Sequence, residues 1–122
     1  MTEPMRDALR IQNEAAAVGF DWNSLADVWD KLHEEIGEVQ EADTGAHRTE
    51  EIGDLLFMIV NLARHLGVDP IAALHLANAK FTRRFAYVME HARDLPPLGD
   101  PRRLDQMETQ WQRAKAIERG VV

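Results

Sequence analysis

Two pairs of acidic residues have a spacing that suits metal binding. Glu35 and Glu38 are three residues apart, and so are Glu51 and Asp54. Residues at i and i+3 share one face of a helix, so two adjacent antiparallel helices would bring the pairs together as four carboxylates. The pattern contains no cysteine or imidazole, and oxygen ligands favour a hard cation. We therefore expect a site for Mg²⁺, with Mn²⁺ as a possible substitute.

The acidic pairs agree less well with a solvated surface or with a di-iron centre. A solvated acidic face is the simpler arrangement, but two charges about 5 Å apart repel by roughly 3 kcal/mol at an effective dielectric of 20, which favours a bound cation. A di-iron bundle would need a histidine three residues after a glutamate, and no glutamate here has one. The histidines show no ligand spacing and are interpreted as surface or helix-border residues: His33, His47, His65, His75 and His91.

A cationic group and an aromatic pair complete the set of candidate residues. Lys80, Arg83 and Arg84 lie within about 100° of one another on a helix, which suits the oxygens of a polyphosphate. A solvated basic face is the alternative. Phe20 and Trp22 could offer a plane on which a nucleobase stacks, although core packing is expected for at least one of them.

The elements that must position these residues are five helices without strands, in a single domain over 1–122. The expected helices span about Met5–Val18, an N-cap at Asn23 or Ser24 to about Thr44, Thr49–Leu66, Pro70–Arg93 and Leu104–Arg119, with a connector over Leu95–Arg103. The fourth helix is expected to carry a core stripe of Leu74, Phe81, Phe85 and Val88.

The third of these helices predicts self-association. Its segment Leu55–Val60 is apolar in every direction around the axis, and a helix on the surface of a monomer needs a solvated face. Phe57, Met58 and Val60 would then find too few neighbours within one chain. We expect a homo-oligomer, a dimer or a tetramer, and the alternative is a central helix wrapped by its own neighbours.

Composition and charge exclude several classes of protein. The 122 residues carry a net charge of −7 and include no cysteine, which excludes a disulfide scaffold and thiol catalysis. Residues 21–54 hold eleven acids and two bases, whereas 61–93 hold five bases and two acids, unlike the continuous basic footprint of a nucleic-acid binder. No apolar run is long enough to cross a bilayer, and the first residues do not resemble a signal peptide. No nucleic-acid or membrane partner and a cytoplasmic location are expected.

The motifs, taken together, resemble the MazG family. The resemblance rests on Gly19-Phe20-Asp21-Trp22, Lys31-x-x-Glu34-Glu35-x-x-Glu38, Glu50-Glu51-x-Gly53-Asp54, Val60-Asn61-Leu62-Ala63-Arg64, Asn78-x-Lys80-Phe81-x-Arg83-Arg84 and Met107-Glu108-x-x-Trp111. More specifically, the chain is similar to the C-terminal catalytic repeat of two-repeat MazG proteins over about Gly19 to Lys115. A MazG-like all-α bundle is therefore expected, with a core over about 19–93 and a C-terminal helix over about 104–119. The long proteins have two repeats and this chain has one, so pairing between chains would have to replace pairing between repeats.

The resemblance implies a magnesium-dependent nucleoside triphosphate pyrophosphohydrolase that releases a nucleoside monophosphate and pyrophosphate. Positions that match the family's metal ligands are Glu35, Glu38, Glu51 and Asp54. Positions associated with phosphate or other parts of the substrate are Lys31, Asn61, Asn78, Lys80, Arg83 and Arg84, with Trp22 as a candidate stacking residue.

Glu34 is our candidate for the catalytic base that takes a proton from the water attacking the α-phosphorus, because it stands beside the ligand Glu35. An outer-shell ligand or a surface charge is the alternative for this residue. Two further functions stay open: a catalytically silent module that binds a nucleotide or a partner, and a purely structural helical dimer. Spacing does not reveal which base or sugar is preferred.

Overall fold

The computed structural model describes residues 3–120, which contain five α-helices and no strand. The helices are α1 (Pro4–Ala17), α2 (Leu25–Glu41), α3 (Gly45–His65), α4 (Pro70–His91) and α5 (Pro101–Glu118). The all-α class is thus confirmed. The chain divides into two compact units, Met1–Ala73 and Leu74–Val122. Each unit is described by itself below.

Side-chain caps explain where the helices begin. Ser24 accepts a hydrogen bond from the Asp27 N–H at 3.2 Å and starts α2, as the sequence predicts. Asp69 Oδ1 accepts from the Ile71 N–H at 2.9 Å at the start of α4. Such caps satisfy backbone donors that have no partner within the first helical turn.

Two helices begin earlier than predicted. Thr44 caps α3 by accepting from the His47 N–H at 3.1 Å, so α3 starts four residues before Thr49. Asp100 likewise caps α5 ahead of Pro101, a residue that the prediction assigned to the connector. Proline is well suited to the first helical position, where no backbone donor is required.

The first unit packs α2 against α3, with α1 lying on α3. Its core cluster consists of the buried Val28 and Leu32 of α2 and the buried Met58 of α3, with Trp22 packed against it. Met58 and Val60 are 4% and 2% exposed. For these two residues, the expectation of too few neighbours within one chain is wrong, because the chain itself buries them, whereas Phe57 remains 39% exposed.

The second unit is held by contacts between α4 and α5. Val88 and Ala114 are buried, and the rings of Phe81 and Trp111 lie 5.4 Å apart. The predicted core stripe on α4 is only partly correct. Val88 is buried, but Leu74 and Phe81 remain 47% and 59% exposed.

No single helix in the described part of the chain is long and apolar enough to cross a membrane. Helices α3 and α4, which are separated by a short break, meet that requirement only when they are taken together, and then by length and composition alone.

Candidate active site

Three of the four predicted metal ligands come together between α2 and α3. Carboxylate oxygens of Glu35, Glu51 and Asp54 all lie within 4.8 Å of one another. Glu35 and Glu51 are buried, and Asp54 is exposed. Glu38 is exposed and stands outside this group, which we name the acidic cluster.

Crowding of negative charge is evident at Glu51. Burial raises the pKa of its carboxyl group, and the nearby charges of Glu38 and Asp54 raise it further. Glu38 is thus close enough to act on the cluster electrostatically. His47 opposes these effects, with Nε2 at 3.3 Å from Glu51 Oε1.

The contact between His47 and Glu51 was not predicted, although their spacing of four residues is visible in the sequence. The ring is 41% exposed, in agreement with a place at the border of the helix.

The donor set of the acidic cluster fits a hard divalent cation. The oxygens of Glu35, Glu51 and Asp54 are hard ligands, and two of these carboxylates are buried, where uncompensated charge is costly. Mg²⁺ or Mn²⁺ would supply that compensation. The chemistry of the donors therefore agrees with the predicted metal.

Lys31 lies beside both the acidic cluster and the predicted base. Its Nζ is 3.2 Å from Glu35 Oε1 and 3.2 Å from Glu34 Oε1. Hydrogen bonds with Glu35 and Glu34 raise the pKa of the Lys31 ammonium group, which stays charged. Glu34, with its side chain 59% exposed, is accessible to water.

A cavity of about 680 Å³ in the first unit collects most of the candidate residues of that unit. Its walls include the predicted residues Trp22, Lys31, Glu35, Asp54 and Asn61. They also include residues that were not predicted to belong to the site: Ile11, Gln12, Ala15, Asp21, Phe57, Met58 and Arg64. Helix α1 therefore contributes a wall that the motifs did not indicate.

The two aromatic residues ahead of α2 differ in their surroundings. Trp22 is half-buried and packs against the core cluster, which confirms that one of the pair serves the core. Phe20 is 83% exposed on the cavity rim. An exposed ring beside a cavity offers the plane on which a base could stack.

One wall of the cavity is a polar network that links three segments of the chain. Arg64 of α3 binds Asp21 through Nη1 at 3.0 Å and Nη2 at 2.7 Å. The same guanidinium reaches Asn61 and Gln12. Asp21 and Arg64 are 43 residues apart, and no periodicity in the sequence indicates their contact.

The predicted phosphate-binding residues of α4 lie in the second unit. Asn78 and Lys80 are exposed. Arg83 Nε and Arg84 Nε donate to the two carboxylate oxygens of Glu118 at 2.8 and 2.9 Å. Hydrogen bonds from Arg84 and Arg83 lower the pKa of Glu118 to about 2. Their predicted part in phosphate binding stays a prediction.

Comparison with known proteins assigns the chain to a family. Residues 8–80 match the family model of phosphoribosyl-ATP pyrophosphohydrolase, more than half of the chain, and the chain belongs to this family. The resemblance to MazG proteins is confirmed as well. A nucleoside triphosphate pyrophosphohydrolase of Escherichia coli is 48% identical over an alignment of 118 positions, which covers 91% of this chain and 44% of that protein.

Two further relatives are more distant. The nucleoside triphosphate pyrophosphohydrolase/pyrophosphatase MazG of Thermotoga maritima is 41% identical over 88% of this chain and 42% of its own length. The protein YabN of Bacillus subtilis is 41% identical over 57% of this chain and 14% of its own length. The chain thus spans less than half the length of the curated relatives that it matches.

Proposed function

We propose that this protein hydrolyses nucleoside triphosphates to a nucleoside monophosphate and pyrophosphate, with Mg²⁺ as cofactor and Mn²⁺ as a possible substitute. The observation that carries the proposal is the acidic cluster of Glu35, Glu51 and Asp54 at a cavity large enough for a nucleotide. The names of the matched family and of the two more similar relatives, all pyrophosphohydrolases, support it.

The cluster and Glu38 would hold the cation. A divalent cation bound there neutralises phosphate charge and makes a nearby water more acidic. In the proposed mechanism Glu34 takes a proton from the water that attacks the α-phosphorus. Lys31 lines the cavity and its ammonium group lies 3.2 Å from a Glu34 oxygen, which places Glu34 next to the site, although Glu34 is not among the residues that line the cavity.

The other end of the substrate is assigned from the resemblance. Lys80, Arg83 and Arg84 are proposed to bind the β- and γ-phosphates, which carry most of the charge and leave as pyrophosphate. Asn61 and Asn78 are proposed to contact the substrate, and Trp22 to border its base. A phosphate that binds Arg83 and Arg84 would have to displace the Glu118 carboxylate or share the two arginines with it.

We also propose that the protein acts as a homo-oligomer in the cytoplasm. The support for assembly lies on α3, where Ile52, Leu56 and Ile59 are between 42% and 51% exposed at spacings of four and three residues. That spacing places them in one apolar stripe, the kind of surface that a second helix covers.

Hydrolysis in ¹⁸O-labelled water with Mg²⁺ tests the reaction. We expect the label in the nucleoside monophosphate and unlabelled pyrophosphate, because water attacks the α-phosphorus. Label in pyrophosphate would place the attack at the β-phosphorus. A nucleoside diphosphate as the first product would refute the proposed reaction. Absence of turnover with every nucleoside triphosphate would favour a silent nucleotide-binding module.

A further inference from the structure

The guanidinium group of Arg64 lines the cavity, but protein groups already engage it. Its Nη1 and Nη2 bind both oxygens of Asp21, Nη2 also donates to Asn61 Oδ1 at 2.8 Å, and Nε donates to Gln12 Oε1 at 3.3 Å. A guanidinium has five N–H groups, and these bonds use four of them. Arg64 is therefore placed to orient its neighbours and is poorly placed to bind phosphate.

Arg64 determines which end of each neighbouring side-chain amide faces the guanidinium group. A guanidinium only donates hydrogen bonds, so the amide atoms turned towards it must be carbonyl oxygens. Gln12 agrees with this assignment, because its other end, Nε2, donates to the Phe57 carbonyl oxygen at 3.0 Å. For Asn61 the same rule turns Nδ2 away from Arg64.

The Asn61 amide nitrogen has unused donor capacity. Its partner is Met58 Sδ at 3.5 Å, and a thioether sulfur is a weak acceptor. Asn61 and Met58 both line the cavity, and Asn61 is 6% exposed. A ligand with a stronger acceptor at this wall would therefore gain a hydrogen bond from Asn61.

Asp21 keeps this arrangement in place. Besides Arg64, its Oδ1 is 2.8 Å from the Trp22 N–H and 3.0 Å from His65 Nε2. The hydrogen bonds from Arg64 hold the pKa of Asp21 well below its usual range, so the carboxylate stays charged. The ion pair fixes the segment before α2 to α3, and the side chain of Arg64 is only 13% exposed.

The distance along α3 indicates which part of a nucleotide Asn61 would meet. Asn61 follows Asp54 of the acidic cluster by seven residues, or about 10.5 Å of helical rise. A phosphate held at the cluster leaves that length for the sugar and the base. The rings of Phe20 and Phe57 line the same cavity and suit a flat heterocycle.

We infer that Arg64 is a positioning residue that turns the Asn61 amide N–H groups towards the bound base, and that the cavity therefore favours nucleobases with a keto oxygen at that edge. The inference rests on the proposed function, because it takes the acidic cluster as the phosphate end of the site. It names a substrate class, nucleotides whose base carries a keto oxygen where cytosine or adenine carries an amino group, and a residue that determines the preference.

Binding of non-cleavable α,β-methylene analogues of UTP and CTP, measured by calorimetry with Mg²⁺, tests the inference without requiring turnover. Uracil carries a keto oxygen where cytosine carries an amino group. We expect the wild type to bind the uridine analogue about fivefold more tightly. Asn61→Asp, which presents only acceptors and can pair with Arg64, should reverse that order.

Arg64→Met should bring the two affinities to within twofold, because the Asn61 amide is then free to turn. Arg64→Gln, whose amide both donates and accepts hydrogen bonds and so imposes no orientation on Asn61, provides the same comparison if Arg64→Met does not fold. Arg10→Lys, at an exposed ion pair on α1, is the matched control and should keep the wild-type preference. A loss of stability alone would lower both affinities equally and leave their ratio unchanged.

Binding of both analogues without a keto preference would overturn the inference and leave the proposed function standing. Retention of the full preference in both Arg64 variants would also overturn it. If the wild type binds neither analogue nor any other nucleotide, the proposed function fails and the inference fails with it.

Discussion

At the scale of single residues, the surroundings of Glu51 oppose its negative charge. Burial and the charges of Glu38, Asp54 and Glu35 all raise the pKa of its carboxyl group. We expect Glu51→Gln to raise the melting temperature of the metal-free protein, by about 4 °C, because glutamine has a similar shape without the charge. Thermal denaturation without and with Mn²⁺ measures this effect.

The same variant should lose the stabilisation by Mn²⁺, which for the wild type is about 2.7 kcal/mol at a hundredfold excess over Kd. Glu50→Gln is the matched control, since Glu50 is the exposed neighbour on α3. A Glu51→Gln protein that keeps the wild-type response to Mn²⁺ would remove Glu51 from the metal site.

Substitution of Glu34 is expected to affect turnover and to leave metal binding unchanged. Glu34 lies outside the acidic cluster, so Glu34→Gln should keep the Mn²⁺-dependent stabilisation. Turnover should fall about 100-fold, because general-base assistance to the attacking water is lost. Pyrophosphate release measures turnover, and Glu41→Gln at an exposed position of α2 is the control. Near-normal turnover would dismiss Glu34 as the base.

Between elements, Glu118 joins α5 to α4 through Arg83 and Arg84. The pKa of Glu118 falls from 4.5 to about 2 in the folded protein, so folding favours its charged form. Its contribution to stability is therefore complete above pH 4.5 and is lost as the pH falls towards about 2.

Glu118→Gln should consequently lower the melting temperature at pH 7 by about 3 °C, and the difference from the wild type should shrink towards pH 3. Glu90→Gln, an exposed glutamate of α4, should show no such pH dependence. An equal difference at both pH values would mean that the charge of Glu118 does not stabilise the contact between α4 and α5.

For the whole molecule, the surface that we propose for assembly is the apolar stripe of Ile52, Leu56 and Ile59. Phe57 belongs to the same helix, but it lines the cavity, so a substitution there would disturb ligand binding as well. Leu56 is 51% exposed and is not among the residues that line the cavity, so a substitution there tests assembly without changing the cavity. We expect Leu56→Glu to dissociate the oligomer, because a charge would be buried at the interface.

Light scattering at micromolar concentration measures the mass of both proteins. Asn13→Glu introduces the same charge at an exposed position of α1 and should leave the assembly intact. A wild-type mass of 13.9 kDa would show a monomer and refute the proposed oligomer.

Local features of the sequence were sufficient to predict that five helices form and that Glu51 and Asp54 lie together. Ser24 and Asp69 cap the helices that follow them because capping involves neighbours two or three residues away. Glu51 and Asp54 lie together for the same reason, since a spacing of three residues places both on one helical face.

Only the tertiary structure decided which helical faces meet. The sequence shows that Met58 and Val60 are apolar, but their burial depends on neighbours from other parts of the chain. The contact between Asp21 and Arg64 joins residues 43 positions apart, and the wall from α1 brings Gln12 to the same network. Such contacts arise from the packing of helices against one another, and helical periodicity carries no information about partners at that distance.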